Sequence, residues 1–133
     1  MHSCILINRW WLADSLLEKY IRRTGCLDLV WSGAYSHEAL QILQSNQYDL
    51  VFASLPSPEQ VLADSVLIEL RRQESLIITA SYPEYLFSGY ELDPICFLKE
   101  PFPMTNFESA LGKFISMHSN KKKFVNAKNV CVS

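Results

Sequence analysis

The stretch LVFASLPSP, residues 50–58, runs apolar from Leu50 to Ala53, meets Ser54, and breaks into a proline-rich turn. A short apolar run closed by a turn reads as a strand buried on both faces. The same pattern recurs outward in both directions. CILIN (4–8), LDLVWS (27–32), DLVFA (49–53), SLIIT (75–79) and PICFL (94–98) are five such runs. Amphipathic stretches separate them. LADSLLEKYIRR (12–23) sets Leu12, Leu16, Leu17, Tyr20 and Ile21 on one helical face. In SHEALQILQS (36–45), Ser36 is a candidate N-cap and Ala39, Leu40 and Leu43 share a face. SPEQ (57–60) has the form of a capping box with Pro58 at the first helical position, ahead of Val61, Leu62, Val66, Leu67 and Leu70. Ser81 and Glu84 suit another capping box, with Gly89 placed to end a short fourth helix. Thr105 and Glu108 suit one more, before Phe107, Leu111, Phe114 and Ile115.

Five βα units with strands this apolar predict an α/β fold. The sheet is parallel and helices cover both faces. Right-handed crossovers and this length point to a doubly wound three-layer (βα)5 sandwich of strand order 2-1-3-4-5. Residues 1–117 form the domain, and 118–133 read as a basic tail or linker that lacks an apolar period. The Lys121–Lys123 run suits a solvated surface.

Bulk properties narrow the function. The chain has 133 residues, 49% of them hydrophobic and 20% charged, enough to bury a core. A net charge of −2 supplies no basic field for nucleic acid. No apolar run approaches the roughly 18–20 residues of a membrane span, and MHSCILINRWW does not read as a signal peptide. Cys4, Cys26, Cys96 and Cys131 form no CxxC pair, and His2, His37 and His118 complete no zinc spacing. Free thiols fit the reducing cytoplasm. Four glycines provide neither GxGxxG nor a Walker loop, which argues against dinucleotides, flavins and nucleoside triphosphates.

Ligands of such sheets bind beyond the carboxyl ends of the strands. Those ends carry Asn8–Arg9, Ser54, Thr79–Ser81 and Lys99–Glu100. DLVFASLPSP (49–58), ITASYPEYLFSGYELD (78–93) and FLKEPF (97–102) resemble a response-regulator receiver domain, nearest to receivers that precede LytTR-type DNA-binding domains. The resemblance spans roughly residues 3–117, implies a module of two-component signalling, and leaves open whether a sensor kinase acts on it.

The chemistry that the resemblance implies is altered. A receiver's Mg²⁺-binding acidic pair falls at Asn8 and Arg9, and its acceptor aspartate at Ser54. Mg²⁺ demands several oxygen ligands, and Arg9 brings a cation instead. A serine hydroxyl with no base is a poor nucleophile. The switch hydroxyl falls at Ala80 if YPEY sets the register, with Thr79 and Ser81 on either side. The lysine position falls at Glu100, with Lys99 one residue early. A one-residue offset in a strand reverses the face. Pro101 follows, so a cis Glu100–Pro101 bond is implied. The expectation is a pseudo-receiver with no Mg²⁺, no catalysis and no aspartyl-phosphate cycle. Arg9 and Glu100 either pair across the site or both face water.

Phe97 takes the aromatic switch position of such receivers. Trp10 and Trp11 lie beside the altered site, and neighbours about 100° apart on a helix cannot both face one core. One of them covers the pocket mouth or faces solvent. Tyr82, Tyr85, Phe87 and Tyr90 crowd the fourth helix. The face of the fourth helix, fifth strand and fifth helix is where receivers dimerise or meet partners, and this aromatic density fits a contact surface, although about half of such rings would be core. The competing classes are the regulatory part of a LytTR-type DNA-binding protein, a small-molecule binder or enzyme on a flavodoxin-like fold, and Ser54 as a target of a Ser/Thr kinase. The chain ends soon after the fifth helix, so direct DNA binding by these residues is not expected.

Overall fold

The computed structural model describes the backbone of residues 1–8 and 16–129, with side chains through residue 118. The elements run β1 His2–Asn8, α1 Leu16–Arg23, β2 Leu27–Ala34, α2 His37–Ser45, β3 Leu50–Ser54, α3 Asp64–Arg71, β4 Leu76–Ala80, a 3₁₀ segment Glu84–Tyr90, β5 Cys96–Lys99 and α4 Met104–Asn129. All strand pairs are parallel, in the order β2-β1-β3-β4-β5. The predicted α/β fold and strand order are therefore the observed ones.

Alternation along the strands divides the core into two layers. Leu6, Phe52 and Ile77 meet Leu17 and Ile21 of α1 and Phe107, Leu111 and Phe114 of α4. Ile7, Ala53 and Ile78 meet Leu43 of α2, Leu67 and Leu70 of α3, and Phe87 of the 3₁₀ segment. Every residue of β3 and β4 is buried, as strands covered on both faces must be.

The helix starts depart from expectation in three of four places. Ser36 caps α2 as read, its Oγ accepting from the Ala39 amide at 3.1 Å. Ser57 does not cap α3. Its Oγ accepts from the Glu59 amide, and its carbonyl closes a turn with the Gln60 amide at 2.9 Å. The capping residues of SPEQ are thus spent within a tight turn, and α3 begins at Asp64 after an extended Ala63. Val61, assigned to the core, is 76% exposed.

The expected fourth α-helix is a 3₁₀ segment opening after Pro83, with Leu86 N–H bonded to Pro83 C=O at 3.2 Å. Ser81 caps nothing there. Glu91, with φ 53°, ends the segment in place of Gly89. Thr105 lies inside the first turn of α4, which starts one residue earlier. That helix continues without a break past residue 118 to Asn129. Among the described residues, no helix is long and apolar enough to cross a membrane.

Candidate functional site

The carboxyl ends of β1, β3 and β4 lie side by side. Ile7 pairs with Ala53, and Ser54 pairs with Thr79. Side chains alternate across a sheet, so residues in one register and of one parity emerge together. Asn8 follows Leu6, Ser54 follows Phe52, and Thr79 follows Ile77, all in the layer that α1 and α4 cover. These three neutral polar residues are all buried. Asn8 Nδ2 donates to Ser32 Oγ at 3.5 Å on the neighbouring strand. The Thr79 hydroxyl has no hydrogen-bond partner among the described residues. An unpaired buried hydroxyl carries a desolvation cost, so it marks a polar point that packing alone does not explain.

The three candidate switch residues separate. The Ala80 side chain lies in the opposite layer with Ile78. Thr79 shares the face and register of Ser54. The strand's alternation thus puts a hydroxyl, that of Thr79, on the face of Ser54. Ser81 lies beyond the end of β4 and is exposed.

On β5, Glu100 N–H continues the ladder to Ala80 C=O at 2.7 Å. Glu100 has the parity of Leu98, which belongs to the α1/α4 layer, whereas Lys99 is exposed and has the parity of Phe97. Lys99 therefore does not take over the lysine position from its own face. The Glu100–Pro101 peptide is cis. Arg9, Trp10 and Trp11 lie outside the described residues, so the Arg9–Glu100 pairing and the tryptophan cover do too.

The loops at this edge are tied to the strands. Tyr35 Oη donates to Ser54 C=O at 3.0 Å, and Leu55 N–H bonds to Thr79 C=O at 2.8 Å. Tyr20 Oη donates to Phe102 C=O at 3.0 Å, linking α1 to the loop after Pro101. Tyr35 and Tyr20 were not singled out as site residues. No motif marks them, because each works through a backbone carbonyl that only the fold brings near.

The donor set does not suit Mg²⁺. Asn8, Ser54 and Thr79 offer neutral oxygens, and no group of three or more His, Cys, Asp or Glu residues among the described ones could hold a metal ion. Cys4, Cys26 and Cys96 are free thiols. Burial above all, with the Asp28 charge and Cys26 adding to it, pushes the Cys4 thiol from 9.0 up to about 12, which keeps it protonated and unreactive.

The predicted contact residues divide. Tyr82 and Tyr85 are exposed, at 41% and 73%, and so is Leu86. Tyr90 is half-buried. Arg71 Nε donates to its carbonyl at 2.9 Å, and its own hydroxyl reaches Gln60 C=O. Phe87 is buried, and Phe97 lies partly buried against it with ring centroids 6.1 Å apart.

No family model matches the chain. Over 116 residues it is 19% identical to the sensory transduction protein LytT of Bacillus anthracis, covering 86% of this chain. It spans about half the length of that relative, 47%. The response regulatory domain of protein mrkE from Klebsiella pneumoniae superposes with a TM-score of 0.67 at 17% identity, covering 89% of this chain and 98% of that one. A mutant of the anti-anti-sigma factor PhyR from Bartonella quintana superposes with a TM-score of 0.66 at 17% identity, over 90% of this chain and 50% of that one. A DNA-binding response regulator of the LuxR family from Staphylococcus aureus gives 0.61 at 14% identity, over 86% and 98%. With its five parallel strands in the order β2-β1-β3-β4-β5, the chain has the fold of response-regulator receiver domains.

Proposed function

We propose that this chain is a receiver-type module of two-component signalling that works without aspartyl phosphorylation, in the cytoplasm and through contacts with other proteins. One observation carries the reading. The buried polar face holds Asn8 and Ser54 where the fold's usual chemistry needs carboxylates, with Thr79 in register beside Ser54. Metal clamp, carboxylate nucleophile and lysine each contribute separately to phosphoryl transfer, and all three residue types are replaced. Mg²⁺ and an enzymatic role are accordingly not part of the reading. The fold's own phosphoryl-sensing hydroxyl, Thr79, persists on a scaffold that no longer has an acceptor beside it.

The test is a two-dimensional amide NMR spectrum of the full chain with Mg²⁺ and either acetyl phosphate or beryllofluoride. The expected spectrum is unchanged at residues 8, 54 and 79. Shifts clustered at those three positions would overturn the reading.

Exposed Tyr82, Tyr85 and Leu86 support a partner or self-association surface on the side of the 3₁₀ segment. Light scattering across a concentration series, with Tyr85→Ser for comparison, reads it out. If that surface joins copies of the chain, the substitution lowers the apparent mass at a given concentration.

The likeness to LytT favours a second, compatible reading. LytT is a sensory transduction protein about twice the matched length. On this reading the chain is the regulatory part of a longer DNA-binding regulator, and these residues do not themselves bind DNA. The open reading frame on either side of the chain decides it.

A further inference from the structure

On the face of the sheet away from Ser54, the cover is incomplete. A pocket of about 180 Å³ opens between the 3₁₀ segment and the sheet, against Leu55 after β3, Ile78 in mid-β4, Phe97 of β5 and the loop at Leu92 and Pro94 that leads into β5. Leu55, Ile78, Phe87 and Phe97 wall it, while Glu84 and Ser88 bring a carboxylate and a hydroxyl. Its origin is the short 3₁₀ segment, which spans seven residues and buries only Phe87.

Size and charge define the occupant. An apolar cavity of about 150 Å³ accepts a benzene-sized molecule, so this one takes a single ring with a short substituent, and no helix or extended peptide. Glu84 is the sole charged residue lining it. Glu84 forms no ion pair among the described residues. A carboxylate beside aromatic faces selects a cation and disfavours an anion. We propose that this pocket is a binding site for a small, mainly apolar organic amine, its ring against Phe87 and Phe97 and its ammonium toward Glu84. The proposal goes beyond the phosphorylation-independent reading and stands whether or not Ser54 is ever modified. A ligand here would touch Leu55 and Ile78, each the chain neighbour of a buried polar residue on the other face.

The test titrates benzylamine, benzyl alcohol and phenylacetate separately into the full chain, followed by amide NMR. Benzylamine is expected to shift residues 78, 84, 87, 88 and 97, and to bind about tenfold tighter than phenylacetate, the scale of one charged hydrogen bond. Glu84→Gln, at an exposed position, should remove that advantage and leave benzyl alcohol binding unchanged. Ser88→Phe, which fills the pocket, should abolish all three. Equal binding of benzylamine and phenylacetate, shifts centred elsewhere, or no shift up to about 10 mM would overturn the proposal. If Ser88→Phe fails to fold, the Glu84→Gln comparison decides alone.

Discussion

The two faces of the sheet are covered in different ways. On one, α1 and α4 lay fully buried side chains against the strands, and the polar residues Asn8, Ser54 and Thr79 are buried at the strand ends. On the other, a 3₁₀ segment stands where a helix was expected and leaves an open apolar pocket. One sheet thus pairs buried polar strand ends on one face with a partly open pocket on the other. The difference teaches where new input can enter. The 3₁₀ side has room for a small ligand without repacking of the core.

The largest expected effect tests how tightly the α1/α4 face is packed. Phe52 and Phe107 are fully buried and stacked, their ring centroids 5.9 Å apart. Phe52→Ala should cost about 3–5 kcal/mol in urea unfolding. Phe97→Ala, at a half-buried ring bordering an existing pocket, should cost only about 1–2 kcal/mol. Equal losses would erase the contrast between the faces.

Thr79→Val is next. It exchanges a buried unpaired hydroxyl for a methyl of the same shape, and should stabilise the chain by about 1 kcal/mol. A loss of similar size would show that the hydroxyl is bonded in solution.

The last effect is absent at neutral pH, appears only in alkali, and separates the layers. Burial raises the Cys4 thiol from 9.0 to about 12 on the α1/α4 side. It likewise raises the Tyr48 phenol from 10.0 to about 12 on the other side, where the Gln73 hydrogen bond pulls down and the Glu69 charge pushes up. Both groups hold their protons more firmly when folded. Their contributions are therefore complete below pH 9 and 10 respectively, and are lost as pH climbs toward 12. Thermal melts between those values should fall with pH in the parent chain, and less steeply in Cys4→Ala and in Tyr48→Phe.

Much of this was legible in the sequence. Strands buried on both faces declare themselves as unbroken apolar runs, so β1, β3, β4 and β5 followed from pattern, and their order from right-handed crossovers and the five-unit length. Ser36 was legible because its partner, the Ala39 amide, lies three residues away. SPEQ failed because a capping box and a tight turn share the same residues, and only the exposure of Val61 tells them apart. The 3₁₀ segment failed because Pro83, not Ser81, opens it. At the site, Ser54 and Asn8 could be read from strand ends. Between Thr79, Ala80 and Ser81 the sequence left the register open, and alternation along the strand is what puts Thr79 on the face of Ser54. The pocket left no local trace, since its walls come from four separate parts of the chain.

The complete burial of β3 and β4 has a practical consequence. Backbone amides there exchange with solvent only when the molecule opens as a whole, whereas those of a thinly covered edge exchange through small local openings. Residues 51–53 and 76–79 are therefore expected to report global opening in deuterium uptake. A ligand held at residues 84–90 of the native state would slow their labelling as well as that of the segment itself.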